Sequence, residues 1–253
     1  MKQFSILVLA AAIALPGVGS AHELIVKPKL ISAAAGAPLD FAVLSSHVFM
    51  SSQEMETPED IRAGFAFDGK RVDVPVAADE ATLSYLGNIK APTDKPFFLT
   101  ATRLPQIWAT TPDGSKPATK KTPGASNAFK IDKFGKTLIN ATAGDSGFDA
   151  ILGDPLEIVL NSNPAAARAG DEVTVTILAN GKPVATTVNA TYDGFSTKMD
   201  TYAFATKSKA DGTAKIKITR AGLWMVRVQN AVSEVTDLYD RHITRAVVVF
   251  QVN

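Results

Sequence analysis

Short apolar runs punctuated by Gly, Pro, Asn and Asp recur from residue 22 to the end of the chain, and few windows keep the spacing of a helix face. The pattern predicts short strands joined by turns. Glu23-Leu24-Ile25-Val26, stopped at Pro28, reads as the first strand, and Leu39 to Leu44 as the second, with His47 just past its end. Phe65-Ala66-Phe67 and Arg71-Val72-Asp73-Val74 flank Asp68-Gly69, a two-residue hairpin turn. Thr57-Pro58-Glu59-Asp60, inside an acidic stretch, carries the signature of a helix start or a polar loop. Phe97 to Thr102 and Phe129 to Asn140 are further strands, while Trp108 to Asn127, dense in Pro, Gly, Thr, Lys and Ser, reads as a long exposed loop.

The second half is more regular. Leu156 to Leu160 and Val173 to Leu178 lead to Asn180-Gly181, a hairpin signal whose two residues both take positive φ. Ala185 to Tyr192, Ala214 to Ile218, Leu223 to Val228 and Arg245 to Val252 follow, with Trp224 alternating with Val226 and Val228 as a core position. Strands at this spacing predict an all-β protein of two immunoglobulin-like or transthyretin-like sandwiches. The Gly- and Ser-containing segment 143–147 is the natural hinge, giving an N-terminal domain over 22–145 and a C-terminal one over 150–253.

The first 21 residues depart from this pattern. Lys2, the apolar run from Phe4 to Leu15, Pro16-Gly17, and small residues at Gly19 and Ala21 form a secretory signal with a cleavage site. The run is too short to span a bilayer, so the expectation is an exported, periplasmic protein with no membrane insertion. Basic side chains number 26 and acidic ones 25, and removal of Lys2 with the leader makes them equal, which excludes nucleic acid as a natural partner. The chain has no cysteine, so no disulfide holds it and no thiol chemistry is open to it. No nucleophile elbow, phosphate loop, dinucleotide fingerprint or His-Glu-x-x-His occurs, and the expectation is a protein that is not an enzyme.

Cleavage after Ala21 would make His22 the first residue, with an imidazole and a free α-amine on one residue, a chelate for borderline metals. The only other histidines are His47 and His242. His47 leaves the second strand where its ring can turn toward the first, if the two strands lie side by side. His242 follows Asp240, which points the same way in an extended chain and can orient the imidazole or ligate beside it. Met50 and Met55 offer thioethers, but core packing is the expected role of both.

Gly153-Asp154-Pro155-Leu156-Glu157-Ile158-Val159, Asn163-Pro164, Ala169-Gly170-Asp171 and Asn180-Gly181-Lys182-Pro183-Val184 resemble the second domain of a bacterial periplasmic family that accompanies nickel and cobalt uptake systems. Asp211-Gly212-Thr213-Ala214 with Ala221-Gly222-Leu223-Trp224 is similar to the same family's later segment. Ala21-His22-Glu23-Leu24 with Lys27-Pro28 resembles its mature start, and Ser46-His47-Val48-Phe49 its histidine after the second strand, with Ser46 where the family commonly has Gly. The resemblance implies a transition-metal role for His22 and His47; His242 stands outside its motifs.

The expected function is therefore a periplasmic accessory protein that binds nickel, cobalt, copper or zinc through His22, His47 and His242 and delivers the ion to a membrane transporter. Two other readings compete. One is a cell-envelope module for carbohydrate or protein with incidental histidines; the other is a copper monooxygenase, because a terminal histidine with a second imidazole resembles a copper brace.

Overall fold

The computed structural model describes residues 22–253, so the expected leader lies outside the described residues. The first half contains β1 (Glu23–Pro28), β2 (Pro38–Ser46), β3 (Ile61–Phe67), β4 (Lys70–Val74), β5 (Val76–Asp79), β6 (Ser84–Lys90), β7 (Phe97–Thr111), β8 (Gly114–Pro117) and β9 (Ser126–Ile139). The second contains β10 (Leu156–Leu160), β11 (Glu172–Ala179), β12 (Lys182–Pro183), β13 (Thr187–Tyr192), β14 (Phe204–Lys207), β15 (Thr213–Lys217), β16 (Gly222–Ser233) and β17 (Arg241–Val252). The protein is all-β, with single 3₁₀ turns at Pro58–Asp60 and Pro164–Ala166. No helix among the described residues is long and apolar enough to cross a membrane.

Nine strands form one long sheet, ordered β14-β13-β16-β17-β9-β7-β3-β4 with β8 added on β7. Its centre is the parallel pairing of β9 with β17, so the stretches expected as separate sandwiches, 22–145 and 150–253, contribute to one common sheet. A four-stranded sheet, β1-β2-β6-β5, comes wholly from the first half; another, β10-β11-β12 with β15 on β11, comes wholly from the second.

Strand alternation shows where these smaller sheets lie, because successive side chains point to opposite faces. Phe97, Leu99 and Ile139 share a core with Leu24, Val26, Phe41 and Tyr85 from the first small sheet. Their neighbours Phe98 and Leu138 join Ile158, Val175 and Ile216 from the second. Likewise Val247 and Val249 meet Ile25, Leu44 and Met50, while Val248 and Phe250 face the opposite core beside Trp224. The long sheet is thus the middle of three layers, buried on both sides where it is central. This explains the unbroken apolar run Ala246 to Phe250, since a strand covered on both faces has no polar alternation.

The hairpin turns at Asp68-Gly69 and Asn180-Gly181 form as expected, all four residues having positive φ. Trp224 is fully buried, and Met50 and Met55 both serve apolar cores. The segment 108–127 differs from expectation. Trp108 to Thr111 extend β7, which turns at Pro112-Asp113 into β8, leaving only the turns between β8 and β9 outside the strands. Its polar composition reflects a hairpin that projects beyond the core rather than a structureless loop.

One glycine fixes how β1 approaches the middle layer. A Cβ at Gly135 in β9 would lie 2.5 Å from the Leu24 carbonyl oxygen, well inside contact distance with backbone that has no rotamer to move. Two residues along, the Thr137 hydroxyl donates to the Val26 carbonyl, a bond that requires the same close approach. Gly135→Ala is expected to destabilise the protein by about 1–3 kcal/mol through overpacking and to displace the start of β1. Denaturant unfolding should record the first effect, and exchange of the Leu24 and Ile25 amides the second.

Candidate metal centre

The antiparallel register of β1 and β2 pairs Glu23 with Ser46 and Leu24 with Ser45. Extended by one step it sets His22 opposite His47, and the two rings meet with centroids 4.0 Å apart at an interplanar angle of 40°. Both imidazoles are largely shielded, with 18% and 7% of their side-chain surfaces exposed. Sequence reasoning anticipated this meeting only on condition that the two strands pair, and they do.

Two carboxylates complete the arrangement. After His47 the chain doubles back, and Glu54 forms an isolated bridge with Ser45. Its Oε1 lies 2.7 Å from His22 Nδ1 and accepts from the Ser45 hydroxyl at 3.2 Å. Burial raises the Glu54 carboxyl, but the His22 hydrogen bond and charge, the Lys133 charge and the Ser45 hydroxyl together hold it below the ordinary value. Asp200, from the turn between β13 and β14, places Oδ1 3.2 Å from His47 Nδ1, and its amide donates to the His47 carbonyl at 3.3 Å. Asp200 has φ of 52°, a left-handed conformation that Asp tolerates better than most residues. Neither acid was identified from the sequence, because each sits on an irregular segment brought in by tertiary contact. The acidic composition of 51–62 is the one available signal for Glu54.

His242 is not brought to this pair. It alternates with Ala246 and Val248 on the face of the long sheet opposite β1, since Val247 and Val249 are the residues that meet Ile25. Its Nε2 lies 2.9 Å from Asp132 Oδ1 and its Nδ1 3.3 Å from Glu234 Oε2. Asp240, the expected partner, pairs instead with Lys120 at 2.6 Å. The register explains the separation: with β17 central, the side chains before and after each position are committed to different layers.

Beneath His22 lies a layer of buried charge. Glu23 accepts from Arg227 Nε at 2.6 Å and lies 3.6 Å from Arg245 NH1. Glu56 pairs with Lys133, accepts from Ser45 at 2.8 Å, and stands 3.7 Å from Arg103 Nε, too far for a hydrogen bond. Arg103 Nε and Glu23 Oε2 are consequently buried without hydrogen-bond partners. Behind His47, burial pushes the Tyr202 hydroxyl up to about 12; Arg227 and Arg245 pull it down, while Glu23 and Asp200 add to the rise.

Residues 19–232 match the family model described as a domain of unknown function, DUF4198. The chain belongs to that family. No curated protein matches it at a significant level. Among solved structures, the D0-D1 domain of Intimin is 13% identical over 89% of this chain and 97% of its own, with a TM-score of 0.22, too low to carry an argument.

In this DUF4198 chain, no group of three or more His, Asp or Glu side chains among the described residues is arranged to hold a metal ion. The side chains supply two adjacent imidazoles and one carboxylate in contact with the first. Donors bound cis to one ion at bond lengths of about 2.0–2.2 Å stand roughly 3 Å apart, so an ion can replace the proton between His22 Nδ1 and Glu54 after a small spreading of the pair. The donor chemistry, nitrogen with one hard oxygen and no sulfur, fits nickel, copper or zinc.

The Tyr202 hydroxyl gives a titration free of the histidines. Its folded-state value lies above the ordinary tyrosine value of about 10, so the stability it contributes is present below that pH and is lost as the pH rises toward about 12. Phenolate absorbance should show a late-titrating tyrosine in the native protein. Tyr202→Phe should remove that step and flatten the alkaline fall in unfolding free energy.

Proposed function

We propose that this protein is an exported periplasmic accessory protein that captures a transition-metal ion, nickel, cobalt, copper or zinc, and passes it to a membrane uptake system without catalysing a reaction. The observation that carries the reading is the contact of His22 with His47 at the end of the β1–β2 ladder. Leader removal at Ala21 would free the α-amine of His22, giving it a chelate of amine and imidazole. The proposed ligands are His22 through that amine and Nδ1, the His47 imidazole, and Glu54. Asp200, hydrogen-bonded at His47 Nδ1, would orient that ring, a carboxylate–imidazole relation common around metals. His242 lies outside this set. The resemblance of the mature start and the Ser46-His47 segment to proteins accompanying nickel and cobalt uptake favours those two ions as cargo.

A non-enzymatic envelope-binding role has its own support in a groove of about 780 Å³ that none of the three histidines lines, walled by Lys27, Lys29, Phe41, Leu86 and Asn88 among others. It is the reading to adopt if divalent metals leave the thermal midpoint of the processed protein unchanged. A copper brace of a monooxygenase would use the same amine and imidazoles, and reductant-dependent substrate oxidation by the copper-loaded protein is its separate mark.

Calorimetric titration with Ni²⁺ of protein beginning at His22, compared with protein carrying one extra residue before it, tests the chelate. The extended form should bind at least about tenfold more weakly, a loss of about 1.4 kcal/mol; equal affinities would remove the amine from the site. Asp200→Gly, which keeps the left-handed backbone, should leave the fold intact and weaken binding about 10- to 100-fold, the usual effect of removing a partner that orients a ligand. An unchanged constant would reduce Asp200 to a loop contact.

A further inference from the structure

A cavity of about 210 Å³ opens directly beside His22, between the start of β1 and the strands β7, β8 and β9. At about 30 Å³ per water this is space for roughly seven waters, or for a small organic molecule. Its walls are of two kinds. Trp108, Phe129 and Ile131 present apolar surface, and the Trp108 indole nitrogen is already engaged by Gln106 Oε1 at 3.0 Å. Arg103 and Lys133, 1% and 3% exposed, present cations.

The wall carries two cations and two carboxylates: Glu56, buried against Lys133 and Arg103, and the more exposed Glu54 at His22. The Arg103 guanidinium is the less satisfied of the two cations: one terminal nitrogen donates to the carbonyls of Leu104 at 3.0 Å and Ile131 at 2.8 Å, while Nε is buried with no acceptor. A buried donor left unmade costs about 1–3 kcal/mol, which an acceptor in the cavity would recover once the guanidinium turns to meet it. A guanidinium short of acceptors, beside a lysine and under aromatic walls, matches a carboxylate attached to a compact, partly apolar body.

We infer that this cavity binds a small organic carboxylate, of the amino-acid or hydroxy-acid chelator class, next to His22. Together with the proposed metal site, on which this part rests, the carboxylate would reach an ion on His22 as well as Arg103, so that the cargo is taken as a chelate rather than as the bare ion. Such a site is electrostatically coherent: a divalent ion at His22 adds positive charge beside Arg103 and Lys133, and an anionic chelator offsets it.

Tryptophan emission reports on the cavity, because Trp108 lines it while Trp224, the chain's other tryptophan, is fully buried in the core on the far face of the long sheet. Protein beginning at His22, with and without Ni²⁺, is titrated with L-histidine and with citrate, and metal content is measured after each titration. The expected result is a saturable emission change for at least one of them, at least tenfold tighter in the nickel-loaded protein, with nickel retained. Arg103→Met should abolish the change. Since that variant alters a buried charge, Ser115→Leu, at the exposed cavity rim on β8, provides a second test that narrows the cavity without touching the charged layer; it should weaken the carboxylate at least tenfold and leave the affinity for nickel alone within twofold. If nickel binds and both carboxylates merely strip it, with no saturable signal, the cavity inference is overturned and the metal reading stands. A saturable signal in protein that takes no nickel supports the carboxylate site and overturns the metal reading; silence in both titrations from protein that also takes no nickel overturns both.

Discussion

Everything near the histidines depends on β1 lying flat against the middle layer. Its three aliphatic side chains are essentially fully buried, Leu24 and Val26 against one core and Ile25 against another, each contributing about 1.5–3 kcal/mol on burial. That double burial works only because β9 carries a glycine at the crossing and a threonine hydroxyl two residues on. A strand fixed on both faces and paired along one edge has one register, and register alone puts His22 across from His47. The contact between the rings is therefore a consequence of packing several residues away.

The buried charges obey the same constraint. Glu23 alternates away from Leu24 and is carried to Arg227 and Arg245 on β16 and β17, while Glu56 is carried to Lys133 and Arg103 on β9 and β7. Lys136, one position past Gly135, points to the opposite core and is held by Glu157 at 2.7 Å. Desolvation depresses Lys133, Lys136 and Arg103, and the facing carboxylates are the main forces restoring them. Each of these pairs joins segments distant in sequence, so each acts as a check on correct layer assembly. Losing one partner would strand the other charge out of water, a penalty of about 3–5 kcal/mol.

Much of the local architecture was legible in the chain. Turn chemistry located the hairpins at Asp68-Gly69 and Asn180-Gly181, alternation placed Trp224 in a core, and the end of β2 was found within two residues of its true position, leaving His47 at its mouth. What was not legible is long-range. Alternation says which residues share a face, but not which of two layers that face meets, so the common sheet through β9 and β17 went unseen. For the same reason Asp240 was favoured beside His242, whose neighbours are Asp132 and Glu234. Lys130, Lys133 and Lys136 make β9 look half-solvated, whereas its polar residues are paired in the interior or at its margin. Glu54 and Asp200 belong to turns with no period, so nothing local distinguishes them from the other acids around them.

The parallel pairing of β9 with β17 is the only parallel one among the described residues, and it ties segments separated by more than a hundred positions. Both imidazoles and Glu54 are synthesised within the first quarter of the chain, yet the acid hydrogen-bonded to His47 and the arginines beneath Glu23 come from its last third. A growing chain therefore holds its candidate ligands long before it can arrange them. Distant pairings of this kind also form slowly, since chain closure must precede the contacts that reward it. The centre is built last, and an unfinished polypeptide would present loose histidines in place of a site.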